Sequence, residues 1–204
     1  MKVYRYIQNY NVEILNEPFT TENGIKHKQT AKIAFFDINS NLIERKTYGV
    51  IDGKSLYQKI KDQVSIDVSN CLVRDFSLTA YRKEFNLSEK TKVDLIDFSA
   101  NDALFEAEKI VDFSLANFIG KKADFTNTHF GSGNLSFMRA EFGDFPVSFK
   151  GTSYSEGNNI FQYAKFNSGK VNFDNATFEN GNLSFINTFF GDGNVTFRNV
   201  HFGN

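Results

Sequence analysis

From Phe113 onward, aromatic residues recur at alternating steps of five and seven residues. The series runs Phe113, Phe118, Phe125, Phe130, Phe137, Phe142, Phe149, Tyr154, Phe161, Phe166, Phe173, Phe178, Phe185, Phe190, Phe197, Phe202. Fifteen Phe and one Tyr keep this register without a slip, which defines a 12-residue unit in eight copies. A unit this short cannot bury its own apolar face, so it must stack on its neighbours, and the chain must wind into a solenoid. The 24 Phe, 2 Pro and absence of Trp among 204 residues are the compositional trace of one position type used repeatedly.

Two residues before the first aromatic stand Val111, Ala123, Leu135, Val147, Asn159, Val171, Leu183 and Val195. Two before the second stand Ala116, Thr128, Ala140, Thr152, Ala164, Ala176, Thr188 and Val200. Residues two apart share a face of extended chain, so each unit predicts two short extended segments, each turning one such pair inward. The remaining positions are turn-like, as in GSGN at 131–134, SEGN at 155–158, ENGN at 179–182 and GDGN at 191–194. Gly and Asn tolerate positive φ, which places the tight bend there. A helix does not account for the pattern, because steps of five and seven drift off one face at 3.6 residues per turn. A coil of two units would hold 24 residues and stack Phe113, Phe137, Phe161 and Phe185 in one column. A flattened coil of 12 is too thin for two phenyl rings, a Val and an Ala. Asn159 is the one polar residue in the Val/Leu column. The register predicts it buried and bonded to neighbouring turns, whereas a shifted strand would bury Ile160 instead.

The A-x-F and V-x-F pairs, such as Ala140-Glu141-Phe142, Ala164-Lys165-Phe166 and Ala176-Thr177-Phe178, resemble those of pentapeptide-repeat proteins. The likeness covers the repeats from 111 onward, with looser matches from Val93 to Ile110, and departs in that every second step is seven residues. It implies a right-handed, four-sided β-helix with the aromatic and the small residue before it inside. Expected, then, is a mainly β chain: a small N-terminal α/β capping domain over 1–92 and the β-helix over 93–204, regular from 111. The repeat runs to His201-Phe202-Gly203-Asn204 with no cap-like segment after it, so the expectation is either a fragment of a longer repeat protein or a last coil that pairs with its copy; the resemblance favours the second, a homodimer through the last coil with Phe197 and Phe202 near the interface.

Residues 1 to about 90 do not repeat. Lys2–Leu15 reads as a strand, and Thr30–Asp37 with Leu42–Val50 as a hairpin around Asn39-Ser40-Asn41. Lys54–Lys61 predicts a short helix, and Ser77 an N-cap for a second with Leu78, Tyr81 and Phe85 on one face.

Reactive groups are sparse. Cys71 is the only cysteine, with no base specified nearby, and reads as a core residue. It rules out an intramolecular disulfide and fits a reducing, cytoplasmic location. His27, His129 and His201 are scattered; the last two share an outward repeat position with no carboxylate or Cys recurring beside them, which argues against a metal site. Calcium-loaded turns need an Asp in each repeat, and only Asp144 and Asp192 occupy that position. The outward residues Ser114, Thr126, Met138, Lys150, Gln162, Asp174, Ile186 and Arg198 form no cationic row for nucleic acid. Lys plus Arg is 23 against 24 Asp plus Glu, so charge suggests neither nucleic acid nor an anionic membrane as partner. MKVYRYIQNYNVEIL contains no membrane span or signal peptide. No catalytic, cofactor-binding or metal residue is assigned. The expected function is a non-enzymatic scaffold for an unidentified protein partner. A DNA-mimicking modulator of a topoisomerase, which the resemblance suggests, needs an acidic rod, and residues 111–204 carry 8 acidic against 7 basic side chains. An enzyme with an unrecognised site is the remaining alternative, but the repeats cluster no Asp, Arg or Lys in a groove.

Overall fold

The computed structural model describes residues 6–131, 133–154, 156–167 and 169–203, so the start of the strand expected from Lys2 lies outside them. The chain is mainly β, with short parallel strands stacked in successive layers.

Each layer of the repeat region pairs with the next at an offset of 24 residues. Val111 pairs with Leu135, Leu135 with Asn159 and Asn159 with Leu183. Three further ladders follow the same step: Phe118–Phe142–Phe166, Ala123–Val147–Val171–Val195, and Phe130–Tyr154–Phe178–Phe202. Two 12-residue units therefore make one coil, and the thin alternative does not occur. Rings one coil apart stack face to face, as Phe118, Phe142 and Phe166 do at 4.5 Å, Phe125 and Phe149 at 5.0 Å, and Phe149 and Phe173 at 4.9 Å. These spacings are close to the distance between paired strands, so each ladder presents its aromatics in stacking register. Neighbouring columns meet edge to face, Phe113 against Phe125 at 5.6 Å, an arrangement that the ring quadrupoles favour. Buried Thr128 and Thr152 donate their hydroxyls to the Ala100 and Phe149 carbonyls, so neither polar group is stranded. Asn159 is 2 % exposed and its amide donates to the Gly157 carbonyl at 3.1 Å, while Ile160 is half-buried, as the simple register requires.

The bends differ from expectation. Positive φ falls between the two extended segments of a unit, at Leu115, Asn127, Arg139, Gly151, Tyr163, Asn175, Asn187 and Asn199. In the G-x-G-N turns, Gly133 and Gly191 have positive φ, but Gly157, Gly169 and Gly181 do not. These glycines serve close stacking instead. A Cβ at Gly157 would lie 1.9 Å from the Gly133 carbonyl oxygen, and one at Gly169 would lie 1.8 Å from that of Phe145. Gly157→Ala is therefore expected to push two coils apart and cost roughly 2 kcal/mol, read as a lowered urea midpoint.

In the N-terminal half, β1 (Asn9–Leu15), β4 (Thr30–Phe36) and β5 (Leu42–Asp52) form an antiparallel sheet; β2 (Phe19–Thr20) and β3 (Lys26–His27) pair separately. The expected hairpin is β4–β5: Asp37 accepts the Asn39 and Asn41 amides, and Ser40 takes φ 62°. Asp52 caps a 3-10 turn, Gly53–Leu56, which runs into α1 (Tyr57–Lys61). In α2 (Leu78–Glu84), the Ser77 hydroxyl accepts the Ala80 amide, the predicted cap.

Parallel pairing also extends upstream of residue 93. β5 pairs with β7 (Cys71–Arg74), and β7 with β9 (Leu104–Glu106), while β6 (Ser65–Asp67) pairs with β8 (Val93–Ser99). Phe76 stands 4.7 Å from Phe113, and one apolar cluster runs from Leu56 to Phe178.

The antiparallel sheet folds back over one outer face of the coils. That face carries, in register, Leu72, Leu104, His129, Ser153, Thr177 and His201. Ala31, Ile33, Phe35 and Tyr48 cover Leu72 and Leu104 in a second core. The segment leading into and through β1 follows the coil stack: Tyr6 stacks on His201 at 4.1 Å, and Tyr10 reaches Glu106.

Candidate interaction surfaces

Reactive side chains were the first candidates for chemistry. Cys71 is fully buried, and the fold brings His27 to it, with Sγ 3.5 Å from Nε2. The imidazole fits because Gly49 lacks a Cβ, which would sit 2.2 Å from His27 Cδ2. No spacing in the sequence indicated this pair. Burial, aided by Asp67, pushes the Cys71 thiol up to about 12, and burial with Lys59 lowers the His27 imidazole. Both groups are thus neutral near pH 7, and the pair lacks the thiolate that nucleophilic attack requires. The thiol donates to the Ser69 carbonyl and acts as packing.

His129 was expected to face solvent, and the structure corrects this. It points away from the coil core but lies under the N-terminal sheet, 6 % exposed, with its ring 4.6 Å from Phe35. Nδ1 is 2.6 Å from Ser153 Oγ. Burial, with a smaller push from Lys46, depresses it to about 3, against an opposing pull from Asp102. His201 lies three coils further along the same ladder, about 14 Å away at ordinary strand spacing, too far to share an ion with His129. Among the described residues no three His, Cys, Asp or Glu side chains converge as a metal site would need.

A buried polar knot was also missed. Asp112 accepts the Thr79 amide at 2.8 Å, and the Ser77 hydroxyl and the Ser114 amide as well. Arg82 donates to the Ser114 carbonyl and hydroxyl and to Thr79. Four of these bonds tie the start of α2 and Arg82 to the first coil, and the other two brace the knot from within the coil and within α2. Its two halves lie over 30 residues apart, which no local motif reveals.

Several outward positions are polar and pair with one another. Asn134, Asn158 and Asn182 form a ladder of amide bonds of 3.1 and 2.9 Å. The signal for it was present: Asn recurs every 24 residues there, while the alternate turns carry Pro146, Lys170 and Asn194. Glu141 sits between Lys92 and Lys165, which hold its carboxyl below the usual range.

The last coil departs from this. The columns that are closed upstream end in Phe197 and Phe202, 41 % and 57 % exposed. In the same coil, Ile186 and Phe189 are 59 % and 58 % exposed where the preceding coil has Gln162 and Lys165. No helix among the described residues is long and apolar enough to cross a membrane. No protein-family model, curated protein or solved structure matches this chain.

Proposed function

We propose that this chain is a non-enzymatic, pentapeptide-repeat-like scaffold whose last coil docks another protein. The observation that carries this reading is the outward pair Ile186 and Phe189, 59 % and 58 % exposed where the preceding coil has Gln162 and Lys165. A right-handed, four-sided path belongs to the same proposal; four parallel ladders at a 24-residue step support its four sides. So does a reducing, cytoplasmic setting, in keeping with the single free Cys71.

The test is a native pull-down with the wild type and with Ile186→Glu/Phe189→Glu. Loss of a partner by the double variant, with its circular dichroism unchanged, supports the reading. Partners captured equally by both, or measurable turnover by the chain, would sink it. The same coil end is proposed to pair with its own copy. Light scattering should then give a smaller mass for Phe202→Glu than for the wild type. A strict monomer at high concentration counts against that contact.

A further inference from the structure

We infer that β1 is a second, self-recognising contact, through which two copies of the chain join their sheets edge to edge. This rests on the sheet alone and stands whether or not the scaffold reading does.

β1 ends the strand order of the nine-stranded sheet, so among the described residues one of its edges has no strand partner. Its pairing with β4 runs without a bulge from Asn9–Phe36 to Leu15–Thr30. It contains no Pro and one charge, Glu13. Sheets usually blunt such an edge with charges, Pro or a bulge, and of these β1 carries only Glu13.

The outer face beside this edge carries a local charge pattern. Two cross-strand rows lie there, Glu13–Lys32–Thr47 and Asn11–Ala34–Arg45. In the first, Glu13 faces Lys32. In the second, Arg45 faces the methyl of Ala34 and then Asn11, and it makes no ion pair among the described residues. Ala34 leaves a depression of about 370 Å³, walled by Asn11, Glu13, Lys32, Arg45 and Thr47. The second row therefore holds a cation, room beside it and no carboxylate.

A second β1, antiparallel and centred on Val12, supplies that carboxylate. This register sets Asn11 against the copy's Glu13, Tyr10 against its Ile14 and Asn9 against its Leu15. Glu13 of the copy then extends the Asn11–Ala34–Arg45 row. Three strand spacings separate it from Arg45, about 14 Å. An extended Arg reaches about 7 Å from its Cα and a Glu about 4 Å, which leaves hydrogen-bonding distance across Ala34. The same register sets the copy's Tyr10 opposite Ile14, which is 38 % exposed. Other registers that keep the faces aligned are poorer. Centring on Glu13 sets the two carboxylates against each other, which is destabilising. Centring on Asn11 places Glu13 beside Asn9, in the row of Phe36, away from Arg45. If the last coil also pairs, each copy carries two different two-fold contacts, and the assembly is an open string rather than a closed dimer.

Because Cys71 is buried, a new cysteine on β1 would be the reactive thiol. Asn11→Cys and Glu13→Cys chains are prepared separately, mixed and mildly oxidised. The proposal expects a disulfide-linked pair in the mixture and little in either variant alone. Cross-linking no greater in the mixture than in the single variants overturns it. Arg45→Glu, on an exposed face, is expected to weaken association about tenfold by sedimentation, since it sets a carboxylate against the copy's Glu13. Association unchanged in Arg45→Glu overturns the register. Both readouts are taken in the Phe202→Glu background, so failure here and failure at the last coil are told apart.

Discussion

Phe161→Ala is expected to destabilise the chain by about 3–5 kcal/mol, the range for removing a large buried ring that neighbours cannot replace. Phe161 is fully buried, stacked 5.0 Å from both Phe137 and Phe185, and meets Phe149 edge to face at 5.6 Å. The coils around it are pinned by backbone bonds, Phe137 N–H to the Ile160 carbonyl at 2.7 Å and Phe161 N–H to that of Ser184 at 2.8 Å. They cannot close on the hole without breaking the ladder, so the cost includes both the lost transfer energy and the void. Gln162→Ala, one residue on and half outside, loses a single bond to Ser184 and should stay within roughly 0.5 kcal/mol. A urea series measures both. Equal shifts would mean that the inward columns are misassigned.

Acidification should weaken the fold through His129. Its folded value, about 3, lies below the ordinary 6.5, so the folded chain holds it neutral while the unfolded chain takes up a proton first. Stability from this group is full above about pH 6.5 and is lost as pH falls from there toward 3, at about 1.4 kcal/mol per unit. The total is several kcal/mol. The physical cause is its position between Phe35 and the coil, where an imidazolium would be desolvated near Lys46. His129→Gln keeps a polar partner for Ser153 and cannot titrate. Urea midpoints taken between pH 6.5 and 4 should fall more steeply for the wild type than for this variant. Carboxylates titrate in both and cancel in the difference. Parallel slopes would show that His129 is not held neutral under the sheet.

What was legible in the sequence follows from where the information lies. The inward columns, the burial of Asn159, the Ser77 cap and the β4–β5 hairpin depend on spacings of two to twelve residues, which side-chain alternation and turn chemistry translate directly into geometry. The 24-residue coil was legible for a related reason: ring volume excludes the thinner one. The bends were misread because Gly suggests positive φ, whereas Gly157 and Gly169 are required by the carbonyl of the coil beneath. That contact spans a full coil and leaves no local mark.

By itself, then, the sequence determined a solenoid, its period and the side chains that face its interior, since a repeat imposes the same local geometry on every copy. Only the tertiary structure decided which outer face is covered, that His129 is buried under Phe35, that Cys71 meets His27, and that β1 lies at a sheet edge. Tyr10 and Glu106 meet across 96 residues, and no periodicity encodes such a meeting. It is set by the apolar outer residues Leu72 and Leu104, which the N-terminal sheet removes from water.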